Sequence, residues 1–178
     1  VVLGDYYAIP KFAEIGEKVL PSVFMPPLYF FFIYMLELIS FGFFNTTKLL
    51  IFSQITLSII SIIIIYKITL KFENKFISLI ICFFFAFFPL NVYASVQVSS
   101  ITVQIFLLLG FLFFLQKFLK KRDKKNLLIF SIFSGLLILT RGEFFIFYLF
   151  TIIYFFVFNE KKLKNFIISI IFTSLVIS

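Results

Sequence analysis

Histidine is absent from these 178 residues, cysteine occurs once, and only 13% of the chain is charged. Without histidine no imidazole can act as general base, partner a nucleophile or ligate zinc, so proton transfer falls to eight carboxylates, the tyrosines and the lysines. The single thiol, Cys82, lies inside an apolar run, which excludes a disulfide framework and a cysteine metal site. A Walker loop, a paired-glycine dinucleotide motif, a metal-ligand cluster and an internal repeat are also missing. No signal peptide is visible: the head of the chain is polar and carries three acids, where a secretory leader needs a basic start and an apolar core.

What is present is mostly hydrocarbon. With 62% hydrophobic residues and a mean hydropathy of +1.16, the chain lies outside the range of soluble domains and reads as an integral membrane protein. Its net charge of +8 sits in short clusters between apolar runs and not along one helix face, so it serves orientation in a bilayer and not nucleic-acid binding.

A hydrocarbon core of about 30 Å needs roughly 20 helical residues. Leu49 to Tyr66 is uncharged and close to that length. Phe76 to Gln116 is twice too long and turns polar after Pro89, at Asn91, Tyr93, Ser95, Gln97, Ser99 and Ser100, so it reads as two spans joined by a polar turn. Leu127 to Phe158 is interrupted by Arg141-Gly142-Glu143 and reads as a second hairpin with short arms. The chain opens on Val1 without a methionine, and the apolar run Phe166 to Ser178 is too short to cross, so a fragment is expected.

The loops alternate in charge. Lys67 to Lys75, Lys117 to Lys125 and Lys161 to Lys164, with Glu160, share one side by span parity and hold twelve basic against three acidic residues. The positive-inside rule makes that side cytoplasmic. Pro27 to Phe43 carries Glu37 in its middle, is short for a span, and would bear about 2.5 to 3.5 kcal/mol for a mid-bilayer charge, so it is expected to lie along the interface or line a cavity. The head then faces outward, and Asp5, Glu14, Glu17, Glu37 and Glu143 collect there. Within the head, Pro10 to Leu20 has its apolar residues at helical spacing opposite Lys11, Glu14 and Lys18, which predicts a short amphipathic helix just after Asp5. Residues 1–178 are thus expected to form one all-α, polytopic transmembrane bundle with outer juxtamembrane amphipathic helices. Its parts are an outer loop at 1–26, a juxtamembrane helix at 27–43, and about six transmembrane segments from 48 to 178, the last truncated.

The order of these pieces resembles the GT-C membrane glycosyltransferases, and among them the bacterial dolichyl-phosphate-mannose protein mannosyltransferase-like group that includes the lipid A aminoarabinose transferase. The residues that carry the resemblance are Asp5 in an outer loop, Ala13 to Gly16, Pro26 to Tyr29, Phe41-Gly42, Phe88-Pro89, and Gly135 to Arg141. The resemblance implies transfer of a sugar from a polyprenyl-phosphate carrier to a lipid, glycan or protein hydroxyl, on the outer face of a bacterial inner (plasma) membrane, with Asp5 as catalytic base. Members often carry Asp-Glu where this chain has Asp5-Tyr6, and many place a glutamate where Ser100 stands. No cofactor is assigned, and a divalent metal is left open.

Each candidate has a bland counterpart. Asp5 is a base whose proton affinity is tuned by partial burial, or only a turn or cap residue before the Pro10 helix. Arg141 neutralises the carrier phosphate with its forked guanidinium, or anchors at the interface and pairs with Glu143. Glu37 orients the acceptor, or snorkels. Lys11 touches phosphate, or is solvated loop charge; Tyr29 stacks on a sugar, or belongs to an aromatic belt. The rival function is a transporter or lipid flippase, which would also place polar groups on apolar helices.

Overall fold

The computed structural model describes residues 27–40, 45–158 and 162–177, and every element among them is a helix. The head with Asp5, Lys11 and the Pro10 to Leu20 helix, together with Phe41-Gly42, lies outside the described residues. Helix α1 covers Pro27–Ser40, with Pro27 at its first position, where a missing N–H costs nothing. At 14 residues it is roughly 21 Å long. Helix α2, Thr46–Thr69, is 24 residues long, about 36 Å, and so exceeds a hydrocarbon core. It outruns the apolar stretch at both ends because the Asn45 side chain caps its first turn, accepting from Thr47 N at 3.0 Å, while Lys48 and Lys67 can carry their charges to the interface.

The next stretch breaks. Helix α3, Lys75–Ala86, is capped by Asn74, and α4, Pro89–Val96, follows it at a bend of 52°. Pro89 forces the bend, since it lacks an amide hydrogen and holds Phe88 extended (ψ 119°). Asn91 Nδ2 donates to Phe85 O at 3.0 Å and so satisfies one carbonyl at the break. Most of the polar stretch expected as a turn is therefore helical, because proline restarts a helix as readily as it stops one. Only residues 97–100 remain as the turn.

Helix α5, Ile101–Lys121, is the second of two single helices among the described residues that are long and apolar enough to cross. It ends on Arg122 in the left-handed region (φ 49°), and Asp123 at once caps α6, Lys124–Thr140, accepting from Asn126 N at 3.0 Å. The basic segment is thus less a loop than two helix ends joined by two residues. Helices α7, Phe144–Phe158, and α8, Lys162–Ile177, follow, with Arg141 to Glu143 forming the tight turn before α7.

Helices α5 and α6 form the centre, with eight buried residues each against three in α2 and two in α3. They pack antiparallel, as the Phe111–Phe130 and Phe106–Phe133 ring contacts show. Helix α2 runs parallel to α5 on one flank and α8 parallel to α6 on the other. The radial pattern is that of a bilayer protein: small polar residues fill the seams and phenylalanines face out. Ser61, Ser78, Ser131, Ser134, Ser169 and Thr173 are buried, whereas Phe52, Phe76, Phe84 and Phe150 are among the most exposed residues. Lipid is as apolar as phenylalanine, so helix association depends on close approach and interhelical hydrogen bonds. At the α6–α8 seam the Ser131 and Ser169 hydroxyls lie 3.1 Å apart, Thr173 Oγ1 donates to Ser131 O at 3.3 Å, and Tyr148 from α7 reaches Ser169 at 3.3 Å.

Candidate functional site

The helix directions sort the loops into two ends. One end gathers Asn45 and Lys48, the 97–100 turn, and the Arg141 to Glu143 turn. The other holds two of the three basic segments, Lys67 to Lys75 and Lys117 to Lys125, which meet where Lys71 Nζ donates to Gln116 Oε1 at 2.9 Å, while Glu160 and Lys161 of the third lie outside the described residues. The paired grouping of loops follows from hairpin geometry: α2 and α5 are parallel, and α6 returns antiparallel beside α5.

Near the first end, α1, α2 and the α4–α5 turn are tied together by one side chain. Gln54, fully buried two turns into α2, donates from Nε2 to Tyr29 OH at 3.2 Å and to Ser99 O at 2.8 Å. Its Oε1 is buried with no partner among the described residues. Tyr29 is itself buried, stacked on Phe32 and packed with Ile33 in the core. Ser99 Oγ accepts from Ile101 N at 3.3 Å, and Ser100 Oγ accepts from Gln104 Nε2 at 2.8 Å. An amide inside an apolar helix is costly unless bonded, and this one spends both its hydrogens on fixing α1 against two neighbours.

The candidates from sequence are not brought into one contact group. Asp5 and Lys11 lie outside the described residues. Tyr29 is enclosed by protein, with its hydroxyl committed to Gln54, so its ring is not offered to a ligand as an exposed stacking face would be. Glu37 stands two turns on, roughly 12 Å along the axis of α1, exposed beside the stripe of Tyr29, Ile33 and Ser40; its backbone oxygen accepts from Ser40 Oγ at 2.8 Å. Arg141 is exposed at the C-terminus of α6, where its amide bonds Leu137 O at 3.3 Å. No ion pair joins it to Glu143. Gln54 went unremarked in the sequence because it sits in an uncharged run. The available signal was its polarity in the middle of a span.

An apolar cavity of about 480 Å³ opens at the α3–α4 break, lined by Phe84, Phe85, Phe88, Asn91, Ile105 and Leu108 among others. Among the described residues no three His, Cys, Asp or Glu side chains gather as metal ligands.

Neither a curated protein nor a solved structure gives a significant match to the chain. A family model does, from residue 25 to residue 178, so it takes in α1 with Tyr29 and Glu37, the broken α3–α4 helix, and the α6 terminus with Arg141, and it begins after Asp5. Membrane-length apolar helices, a bundle without strands among the described residues, and a match over all but the first 24 residues agree: this chain belongs to the dolichyl-phosphate-mannose-protein mannosyltransferase family and is a membrane glycosyltransferase of the GT-C type.

Proposed function

We propose that the protein moves a sugar from a polyprenyl-phosphate donor to a hydroxyl of a lipid, glycan or protein acceptor, on the outer face of a bacterial inner membrane. The observation that carries this is the family match over residues 25–178. The α1 anchorage supports it: Gln54 holds in place the helix that carries Glu37. In the reaction, Asp5 takes the acceptor hydroxyl proton as that oxygen bonds the anomeric carbon. The bond from that carbon to the phosphate oxygen breaks, and the lipid phosphate leaves with the electron pair. Arg141, exposed and unpaired with Glu143, offsets the leaving charge. Glu37 orients the acceptor, Lys11 assists at the phosphate, and Tyr29 acts by holding α1. The apolar cavity at the α3–α4 break suits a length of isoprenoid chain.

Transfer of labelled sugar from a polyprenyl-phosphate donor by the complete protein tests this. Asp5→Asn should lower turnover by on the order of 10²-fold or more, as loss of a general base does; unchanged turnover removes Asp5 from the role. Arg141→Gln should raise the donor KM while Arg141→Lys restores part of it. The 52° break of α3–α4, like the polar groups on its apolar helices, is a feature that a transporter or flippase would share. Movement of lipid-linked sugar across vesicles without covalent transfer would favour that second reading.

A further inference from the structure

The end of the bundle away from Arg141 concentrates cations that the glycosyl transfer does not use. Lys71, two residues past the end of α2, meets the last turns of α5: its Nζ donates to Gln116 Oε1 at 2.9 Å and stands 5.3 Å from the centre of the Phe113 ring. Lys117 Nζ stands 4.3 Å from the same ring, so the two ammonium groups are no more than about 10 Å apart, near the screening length at physiological salt. Lys120 follows on the same helix. Of the nearby acids Asp123 caps α6 and Glu73 lies in the α2–α3 turn, and among the described residues no ion pair joins a carboxylate to the three lysines. The cluster is repulsive as it stands. Partial burial, then Lys117 and Lys120, hold the Lys71 ammonium below the ordinary lysine range.

Depth decides what the counter-ion is. Helices α2 and α5, of 24 and 21 residues, are about 36 and 32 Å long against a hydrocarbon core of about 30 Å, so both end at headgroup level on this side. The anion present there at highest concentration is a lipid phosphate. Phe113 and Phe114 beneath the ammonium groups provide an apolar wall for the start of an acyl chain. We infer that Lys71, Lys117 and Lys120, at the junction of α2 and α5, form a binding site for the headgroup of an anionic phospholipid. The site rests only on the membrane crossing of α2 and α5 and stands apart from the transfer reaction.

Each lysine near a charged membrane surface contributes about a 5-fold gain in binding, so loss of two predicts a decrease of roughly 30-fold. The complete protein in neutral detergent is titrated with phosphatidylglycerol, with phosphatidylcholine and with inorganic phosphate, and bound lipid is counted by native mass spectrometry. Phosphatidylglycerol should bind, the pair Lys71→Gln with Lys117→Gln should lose roughly 30-fold, and the pair Lys71→Arg with Lys117→Arg should keep wild-type binding. Lys48→Gln, at the opposite end, should change nothing. Equal binding of phosphatidylcholine, undiminished binding by the glutamine pair, or an equal loss in Lys48→Gln overturns the site. Inorganic phosphate displacing the lipid at equal concentration overturns its assignment to a lipid. Should the glutamine pair fail to fold, the arginine pair and the comparison of the two lipids still decide.

Discussion

Gly135 lies on α6 against Thr173 and Val176 of α8, and its replacement by alanine measures how much of the fold depends on that approach. A Cβ at position 135 would stand 2.7 Å from both Cβ and Cγ1 of Val176 and 3.2 Å from the backbone oxygen of Thr173. Carbon atoms settle at about 3.5–4.0 Å. Val176 cannot swing its Cβ away, so α8 must recede by roughly 1 Å, which overpacking studies put at about 1–3 kcal/mol. The same shift stretches the Ser131–Ser169 contact and the Thr173 Oγ1 to Ser131 O bond, now 3.1 and 3.3 Å, beyond useful length. Interhelical bonds in membranes average about 0.6 kcal/mol, so the two add about 1 kcal/mol. Against this, alanine favours a helix over glycine by about 1 kcal/mol. The net expectation is a loss of about 1–3 kcal/mol. Gly142→Ala is the control, since nothing lies within 4 Å of its added carbon, and it should stay within about 0.5 kcal/mol of wild type. Equilibrium unfolding of the complete protein in bicelles reads both. If Gly135→Ala matches Gly142→Ala, the α6–α8 seam is not close-packed and the seat of Arg141 at the end of α6 is not set by it.

Three further outcomes are expected. Gln54→Leu gives up two hydrogen bonds worth about 0.6 kcal/mol each but removes a buried, unpartnered oxygen costing about 1–3 kcal/mol, so its stability should hold while sugar transfer falls as α1 loosens; wild-type transfer would deny α1 a positioning role. Lys71 has a lowered folded-state pKa, so over the window from that value up to the ordinary 10.5 the unfolded chain binds more protons and stability rises with pH. Lys71→Gln should flatten that rise in pH-dependent unfolding, and an unaltered slope would show that its environment is not unfavourable to charge. With Cys82, the one thiol, replaced by alanine, Gly142→Cys should react with an impermeant maleimide in intact cells while Lys121→Cys is protected; the reverse pattern inverts the proposed orientation.

Charge and hydropathy made the membrane class, the helical fold and the shared end of the Lys67 to Lys75 and Lys117 to Lys125 segments legible without coordinates, because the hydrocarbon core penalises charge and leaves lysines to its edges. The resemblance seen at Pro26 to Tyr29, Phe88-Pro89 and Gly135 to Arg141 reached the family that the 25–178 match shows. Pro89 was read as the edge of a turn, yet its effect depends on whether Asn91 can satisfy the opened carbonyl, which is a matter of rotamer and distance. Tyr29 looked like a surface aromatic, since nothing along the chain says that Gln54, 25 residues later, will meet its hydroxyl.

Local composition therefore determined that these segments enter a membrane and which loops share an end, since transfer energies act residue by residue. Tertiary structure alone decided that Gln54 clamps α1, that Gly135 must have no side chain, and that Lys71 crowds Lys117. Those facts depend on distances between helices, and in a bilayer such distances are set by seam packing that no single stretch of sequence contains.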